Sequence, residues 1–207
     1  MSTVVADISM SLDGYVTGPD PDVEHGLGRG GEAIQQWVFQ SHTSPQDRNF
    51  LETSASATGA VVMGRRTFNF VNGPQGWDDD VDYAYDHQMP ARPPVFVVTH
   101  RKPEDSTLSG GYTFITNGVE PAVAAAREAA GDRETVLMGG AEVIDQALCA
   151  GLVDLLRIHL SPVIMGAGTR LFDLIDEPLP LTQAETVVTP YATHLTYRMN
   201  QHERTQP

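Results

Sequence analysis

The sequence is poor in cysteine and lacks long apolar runs. Its 207 residues include one cysteine, Cys149, which excludes an internal disulfide and is typical of proteins in a reducing compartment. No run of about 18 apolar residues is present, so no membrane span is expected. The N-terminal residues show no basic region followed by an apolar stretch, so no signal peptide is expected. These absences predict a cytoplasmic protein with no membrane partner.

Basic residues are also few. Thirteen lysines and arginines stand against 27 aspartates and glutamates, which gives a net charge of −14. Such a field repels nucleic acid and anionic membranes, so neither is predicted as a partner. The same field repels an anionic cofactor. Any anion-binding site must therefore be local, and this makes clustered arginines and glycine-rich backbone informative.

Several catalytic and metal-binding motifs are absent. The seven histidines have no spacing typical of a metal site, so no metal is predicted. The sequence has neither a G-x-S-x-G elbow nor a P-loop lysine. Residues 26–31 match G-x-G-x-x-G, but proline and acidic residues precede them where a dinucleotide-binding fold requires a buried strand. The sequence therefore predicts that they belong to a mobile glycine loop, residues 18–31, which is a candidate lid.

Short apolar segments alternate with amphipathic ones along the chain. Strands are predicted at residues 3–10, 60–63, 95–98, 112–115, 135–138, 155–160, 181–189 and 194–200. Helices are predicted at residues 32–43, 45–57, 117–130 (opened by a capping box at Asn117 and Glu120) and 141–150. This order indicates one α/β domain over residues 1–207. Its mixed sheet is expected to be mostly parallel, with an antiparallel hairpin at one edge and helices on both faces.

Three of the predicted strands end in residues suited to binding an anion. Each junction has a plainer interpretation: surface ion pairs for the arginines, an ordinary polar strand end, or a tight glycine turn. Because ligands of open α/β sheets gather at the carboxyl ends of the strands, one ligand with several phosphates could lie across all three junctions. The junction residues are Gly64, Arg65, Arg66 and Thr67; Thr99, His100 and Arg101; and Gly139, Gly140, Ala141, Glu142 and Val143.

Five motifs occur in an order known from one enzyme superfamily. They read SLDGYVTG at residues 11–18, VMGRRTF at 62–68, VVTHR at 97–101, VLMGGAEV at 136–143 and SPVIMGAGTRLF at 161–172. In this order they resemble the dihydrofolate-reductase-like superfamily, in particular the branch with the C-terminal reductase domain of the bacterial riboflavin-biosynthesis deaminase/reductase. The resemblance covers nearly the whole sequence. It implies the superfamily's fold, a mostly parallel sheet with an antiparallel edge strand and flanking helices.

The resemblance also implies NADPH as the cofactor, lying across the strand ends, and a homodimer as the assembly. By position, the implied ligands of the adenosine 2′-phosphate are Arg65 and Arg66, and that of the pyrophosphate is Thr67. The adenosine is implied to contact Thr99, His100 and Arg101, and the nicotinamide to contact Ser9, Thr17 and Gly18. A cis-linked pair, Gly139 and Gly140, is implied to lie beside both the pyrophosphate and the nicotinamide.

Two carboxylates are candidates for the chemistry. Asp7 precedes Ser9 by two positions and shares its strand face, and the resemblance implies that this face borders the substrate. There Asp7 could anchor an amine or hydroxyl, or act as an acid if burial raises its pKa; the alternative is a solvent-facing strand residue. Asp13 lies in the adjoining turn, where aspartate is also common for backbone reasons. Trp37 and Trp77 are candidate pocket-lining residues.

The sequence thus predicts an NADPH-dependent reductase that transfers a hydride to a C=N or C=O group of a small heterocyclic or sugar-like molecule. The zinc signature of the riboflavin enzyme's deaminase needs several cysteines and is absent. No acid on the predicted first helix aligns with the carboxylate by which dihydrofolate reductases bind the pterin. A true dihydrofolate reductase and a non-catalytic nucleotide-binding protein on the same scaffold are the alternatives.

Overall fold

The computed structural model describes residues 2–73, 76, 92–103 and 111–200; Trp77 lies outside them. Their strands are β1 (Val4–Ser11), β2 (Thr58–Gly64), β3 (Val95–Val98), β4 (Tyr112–Ile115), β5 (Glu134–Leu137), β6 (Leu155–Ser161), β7 (Leu181–Val188) and β8 (Thr193–Met199). Their α-helices are α1 (Gln36–Phe39), α2 (Pro45–Ala57), α3 (Arg65–Val71), α4 (Val119–Ala130) and α5 (Ala141–Cys149). None of the helices formed by these residues combines the length and apolar character that crossing a bilayer requires.

The strands of the described residues join in one sheet of order β4–β3–β2–β5–β1–β6–β8–β7. From β4 to β6 the neighbouring strands are parallel. β8 pairs antiparallel with β6 and with β7, so a hairpin closes one edge. β2 is buried along its whole length, as expected for a strand inside a parallel sheet covered on both faces. The predicted mixed sheet with its antiparallel edge hairpin is confirmed.

Helices cover both faces of this sheet. On one face, α4 and α5 pack against alternate residues of the central strands, among them Val4, Val62 and Leu137. On the other face, α3 packs against β2 and β3 through Phe68 and Val71. Aromatic side chains of α1 and α2 lie against β6 and β8 on that same face. The two-residue alternation of the strands thus separates two layers of side chains.

The segment before α2 differs from the prediction of one helix over residues 32–43. It forms a 3-10 helix at Gly31–Gln35, the single turn of α1, and a second 3-10 helix at Ser41–Thr43. Ile34 on the first 3-10 helix and Trp37 on α1 are both buried. With these two side chains packed on the sheet, the segment forms three short helical pieces and not one regular α-helix.

The predicted capping box at Asn117 and Glu120 is wrong. Helix α4 has Gly118 as its N-cap, with φ of 108° and no side-chain cap. Because this backbone conformation suits glycine alone, the chain turns at Gly118, and Asn117 lies one residue too early to cap the helix. The predicted end of the helix at Gly131 is confirmed.

Residues 18–31 fold into successive hydrogen-bonded turns, and no strand leads into their G-x-G-x-x-G sequence. The predicted absence of a dinucleotide-binding strand–turn–helix unit here is confirmed. The N–H of Gly18 donates to the carbonyl of Leu27 across 2.7 Å, and that of Arg29 donates to Pro19 across 2.9 Å. The position of a Cβ on Gly26 lies 2.7 Å from the Phe70 ring, so the loop contacts α3.

Candidate functional site

The three predicted anion-binding junctions meet at one edge of the sheet. β2, β3 and β5 are parallel neighbours, and their carboxyl ends lead directly into these junctions. The N–H of Gly64 donates to the carbonyl of Gly139 across 2.8 Å. The Arg65 guanidinium donates through Nη1 to the carbonyl of Arg101 across 3.1 Å. Direct hydrogen bonds therefore join the first junction to each of the other two.

The two arginines of the first junction carry positive charge without acidic partners among the described residues. Arg65 is half-buried, and its Nε donates to Asn69 Oδ1 across 2.8 Å. Its guanidinium also lies 5.8 Å from the Phe68 ring centroid, where an aromatic face attracts a cation. Arg66 is exposed. Surface ion pairing, the plainer interpretation of this motif, is thus not seen in the part of the chain that is described.

The second junction is a polar turn with an exposed basic surface. The Thr99 hydroxyl donates to the carbonyl of Arg101 across 2.8 Å and accepts the N–H of Arg101 at 3.4 Å. Thr99 is buried, whereas His100 and Arg101 are exposed. The hydroxyl therefore shapes the turn, and the two basic side chains are accessible to a ligand.

The third junction is a pair of glycines between β5 and α5. The peptide bond from Gly139 to Gly140 is cis, as the resemblance implies. The Cβ position of Gly140 lies 3.7 Å from Thr67 Oγ1, and that of Gly64 lies 3.1 Å from Val143 Cγ2. The first and third junctions are thus packed closely together at glycines, where no side chain separates them.

Helix α5 follows this glycine pair, and the first residues of the helix divide between core and surface. Ala141 and Val143 are buried, whereas Glu142 is exposed. The N–H of Val143 donates to the carbonyl of Gly140 across 3.1 Å. These contacts fix the position of the α5 N-terminus relative to the glycine pair.

The residues implied to contact the nicotinamide are held by protein contacts. Ser9 Oγ accepts the indole N–H of Trp37 at 2.8 Å and donates to Gln35 Oε1 at 3.1 Å. Thr17 Oγ1 accepts the N–H of Thr169 at 3.0 Å. A Cβ on Gly18 would lie 2.2 Å from the carbonyl oxygen of Arg29, so this position requires glycine. Their contacts with a cofactor remain a prediction.

Asp13 holds two loops together. One carboxylate oxygen accepts the N–H of Met165 at 3.0 Å and the Ser11 hydroxyl at 2.7 Å, and the other accepts the N–H of Gly166 at 2.7 Å. The Met165 N–H is the largest cause of a pKa lowered to about 2 for Asp13. A carboxylate held ionised by these donors serves the loop geometry, which is the backbone role expected of aspartate in turns.

Asp7 lies in a line of ionisable side chains on the face covered by α1 and α2. Its Oδ1 lies 2.8 Å from His159 Nε2. Its Oδ2 lies 3.8 Å from the Arg157 guanidinium, and Arg157 in turn forms a bidentate pair with Glu134 at 2.7 and 2.8 Å. The side chain of Asp7 is 18% exposed, so it is neither a solvent-facing strand residue nor a sealed one.

The line continues from His159 into the protein. Its Nδ1 lies 2.7 Å from His194 Nδ1, and His194 Nε2 lies 2.8 Å from Asp47 Oδ1. We call Asp7, His159, His194 and Asp47 the imidazole–carboxylate array. Its two imidazoles and Asp47 are almost completely buried. Asp7 is therefore the open end of the array, and Asp47 is the closed end.

Two aromatic rings enclose the imidazoles of the array. The Trp37 ring centroid lies 4.2 Å from that of His159, with a tilt of 36°. The Phe50 ring stacks on His194 at 4.7 Å, with an interplanar angle of 14°. Trp37, a predicted pocket residue, is thus placed beside Asp7's partner.

The array's carboxylate at the open end is held in its ionised form. Burial raises the pKa of Asp7, but His159 and Arg157 together outweigh burial, and the pKa is lowered overall. The lowered pKa does not favour the acid role that burial alone would give Asp7. Burial and the neighbouring His159 lower the pKa of His194, against the opposing effect of Asp47.

His159, His194 and Asp47 escape prediction from the sequence. Asp47 lies 147 positions from its partner His194 in the chain, so no local motif connects them. The pairing of His159 opposite His194 depends on the register between β6 and β8. A usable signal was the two-residue alternation, which puts Asp7 and Ser9 on one face, combined with the histidines in the last strands.

Comparison with known proteins identifies the family. The model of the RibD C-terminal domain family matches residues 2–195. The chain belongs to this family. No curated protein is significantly similar in sequence. The predicted membership of the riboflavin-biosynthesis reductase branch of the superfamily is confirmed.

Solved structures share the fold of this RibD C-terminal domain protein. A protein named for riboflavin biosynthesis from Shewanella sp. PV-4 has 22% identity and a TM-score of 0.66, over 97% of this chain and 100% of that chain. A dihydrofolate reductase from Enterococcus faecalis, complexed with NADP(H), has 19% identity and a TM-score of 0.58, over 96% of both chains. A pyrimidine reductase-like protein from Corynebacterium diphtheriae has 15% identity and a TM-score of 0.59, over 97% and 92%. The fold is dihydrofolate-reductase-like, as predicted.

Proposed function

We propose that the protein is an NADPH-dependent reductase that transfers a hydride to a C=N or C=O carbon of a small heterocyclic or sugar-like molecule. The observation that carries this proposal is the meeting of three anion-type junctions at one sheet edge, joined by the bonds from Gly64 to Gly139 and from Arg65 to Arg101. A ligand with phosphates at several points along its length fits three such junctions better than a single anion does.

The charge distribution supports a dinucleotide with an additional phosphate. The protein carries a net charge of −14, so an anion gains attraction only where basic groups cluster. Arg65 and Arg66 lack acidic partners in the described ranges and are the proposed ligands of the 2′-phosphate, because guanidinium groups bind phosphate bidentately. His100 and Arg101 extend this basic surface toward the adenosine.

The close packing of the first and third junctions supports a pyrophosphate-binding site between them. Side chains are absent at Gly64, Gly139 and Gly140, where backbone approaches Thr67 and α5. Backbone at a helix N-terminus can approach a phosphate closely when no Cβ intervenes. The proposed pyrophosphate site is therefore between Thr67 and the start of α5, with the cofactor residues Ala141, Glu142 and Val143 following.

When bound, the nicotinamide would supply the hydride, and the protein supplies orientation and electrostatics. Asp7 is the proposed group for the substrate, because its carboxylate is ionised and partly accessible. An ionised carboxylate accepts hydrogen bonds, so it can orient an amine or hydroxyl of the substrate. Asp13 acts through the loops that it joins, which include the neighbours of Thr17.

Relatives of the same fold support this class of reaction. One is a dihydrofolate reductase complexed with NADP(H), and another is a pyrimidine reductase-like protein. Folate itself is disfavoured as the substrate, because no acid in residues 32–43 aligns with the carboxylate by which dihydrofolate reductases bind the pterin. A homodimer in the cytoplasm is part of the proposal, and sedimentation velocity of the purified protein tests the dimer.

The direct test is NADPH oxidation with a panel of carbonyl and imine compounds built on heterocycles and sugars. We expect oxidation of NADPH, followed by its absorbance, with at least one member of the panel. Tight NADPH binding without turnover on any of them would instead indicate the non-catalytic nucleotide-binding protein.

A further inference from the structure

The imidazole–carboxylate array has one closed end and one open end. Asp47 is completely buried, and His194 is almost so, whereas the side chain of Asp7 is 18% exposed. A proton that enters or leaves the array therefore exchanges with the solvent or a substrate through Asp7. The array spans β1, β6, β8 and α2, so its geometry is set by the sheet and one helix and not by a loop.

The hydrogen bonds of the array fix the number of protons it holds. Three contacts of 2.7 to 2.8 Å join its four members, and each hydrogen bond requires one proton. Two neutral imidazoles supply only two protons, and ionised carboxylates supply none. With both carboxylates ionised, the two imidazoles must together carry one additional proton.

The closed end offers that positive charge a partner. Oδ2 of Asp47 is buried and has no hydrogen-bond partner among the described residues. The carboxylate's ion-pair contact is His194. An ionised carboxylate in this setting is costly unless a neighbouring charge compensates it. A single positive charge shared by the two imidazoles supplies that compensation.

Burial of His194 opposes a cation, and the two carboxylates of the array favour one. Arg157 lies beyond Asp7, 3.8 Å from its carboxylate, and also forms a bidentate pair with Glu134. The remaining charged residues on the strand and helix that hold His194 and Asp47 are exposed: Arg198 on β8 and Arg48 and Glu52 on α2. The Trp37 ring lies against His159, and an aromatic face stabilises a cation.

We propose that the two imidazoles of the array store one additional proton and deliver it through Asp7 to the substrate during reduction. This role rests on the proposed reductase function, in which a nicotinamide donates the hydride. The hydride adds to carbon, and the π electron pair of the C=O or C=N bond moves to oxygen or nitrogen. His159 passes a proton to the ionised Asp7 carboxylate, and Asp7 delivers it to that atom. Two neutral imidazoles are left, and the solvent restores the proton through the open end.

The proton count can be measured without cofactor or substrate. In protein labelled with 15N-histidine, NMR spectra over a pH titration report which ring nitrogens are protonated, with His159→Gln and His194→Gln used for assignment. We expect three of the four ring nitrogens of the pair to carry protons at neutral pH. Two neutral imidazoles at that pH in the wild-type protein would overturn the proposal.

The variant Asp47→Asn keeps the shape of the closed end and removes its charge. Because a carboxylate stabilises a neighbouring imidazolium, its loss lowers the pKa of the pair, and we expect the additional proton to leave at a pH lower by about one unit or more. Asp145→Asn is the matched control, since Asp145 is equally buried but accepts the N–H groups of Phe172 and Leu174 outside the array. An unchanged titration in Asp47→Asn would contradict the assigned charge.

Delivery of the proton is tested by turnover. In the NADPH-oxidation assay, we expect the high-pH limb of kcat in Asp47→Asn to move by the same shift as the NMR titration, with the dissociation constant for NADPH unchanged. If the high-pH limb of kcat stays at its wild-type pH while the NMR titration moves, the proposed delivery of the proton through Asp7 is wrong. The NMR titration needs no cofactor, so it tests the stored proton alone. The NADPH-oxidation assay tests the reductase function, and the two proposals can therefore fail separately.

Discussion

The backbone N–H of Gly64 donates to the carbonyl oxygen of Gly139 across 2.8 Å. This bond joins the end of β2 to the glycine pair before α5, and the position of a Cβ on Gly64 lies 3.1 Å from Val143 Cγ2. The proposed pyrophosphate site therefore depends on a glycine that allows two strand-to-helix junctions to pack together.

The variant Gly64→Val tests this packing. We expect it to weaken NADPH binding by about tenfold or more, and to lower the free energy of unfolding by about 1–3 kcal/mol, because the added methyl groups displace α5. Nucleotide fluorescence titration and urea unfolding measure the two effects. Ala124→Val, an exposed substitution on α4, should leave NADPH binding unchanged. Equal NADPH affinity of Gly64→Val and wild type would remove this junction from the cofactor site.

Asp13 should contribute to stability in a pH-dependent way. Its pKa is lowered to about 2 by backbone N–H donors, first that of Met165. A lowered pKa means that the carboxylate stabilises the fold above its ordinary pKa, near pH 4, and that this contribution is lost as the pH falls toward 2. We expect Asp13→Ala to have a lower Tm than wild type at pH 7, with the difference shrinking below pH 4. A difference independent of pH would argue against the proposed anchoring by an ionised carboxylate.

Asp7→Asn separates substrate chemistry from cofactor binding. The substitution preserves shape but removes the charge that pairs with His159 and Arg157. We expect kcat to fall by about 100-fold or more, as for loss of a group involved in proton transfer, while the dissociation constant for NADPH stays within about twofold of wild type. Stopped-flow turnover and a binding titration measure the two quantities. Unchanged turnover would remove Asp7 from the site.

The sheet and its ligand edge could be predicted because local signals decide them. Short apolar runs bounded by glycine, as at β2, indicate buried strands, and parallel strands bring their carboxyl ends to one edge. The junctions at Gly64 and Gly139 could therefore be expected to meet before any geometry was known.

The array could not be predicted, because its contacts depend on register and on packing between distant segments. His159 and His194 lie 35 positions apart and meet through the pairing of β6 with β8. Asp47 contacts His194 from α2, and the segment before α2 forms 3-10 turns and one short α-helix. Sequence spacing gives neither the register that pairs His159 with His194 nor the packing that brings Asp47 to them.

The most direct measurement of the central claim compares NADPH and NADH binding to the double variant Arg65→Ala/Arg66→Ala. If these arginines bind the 2′-phosphate, NADPH affinity should fall by about 100-fold or more, because each charge-assisted contact contributes about 1.5–3 kcal/mol, and NADH affinity should change little. The control Arg48→Ala/Arg198→Ala removes the same charge from exposed positions elsewhere on the protein and should affect neither nucleotide. An equal loss of NADPH and NADH affinity in the first variant would contradict the assignment.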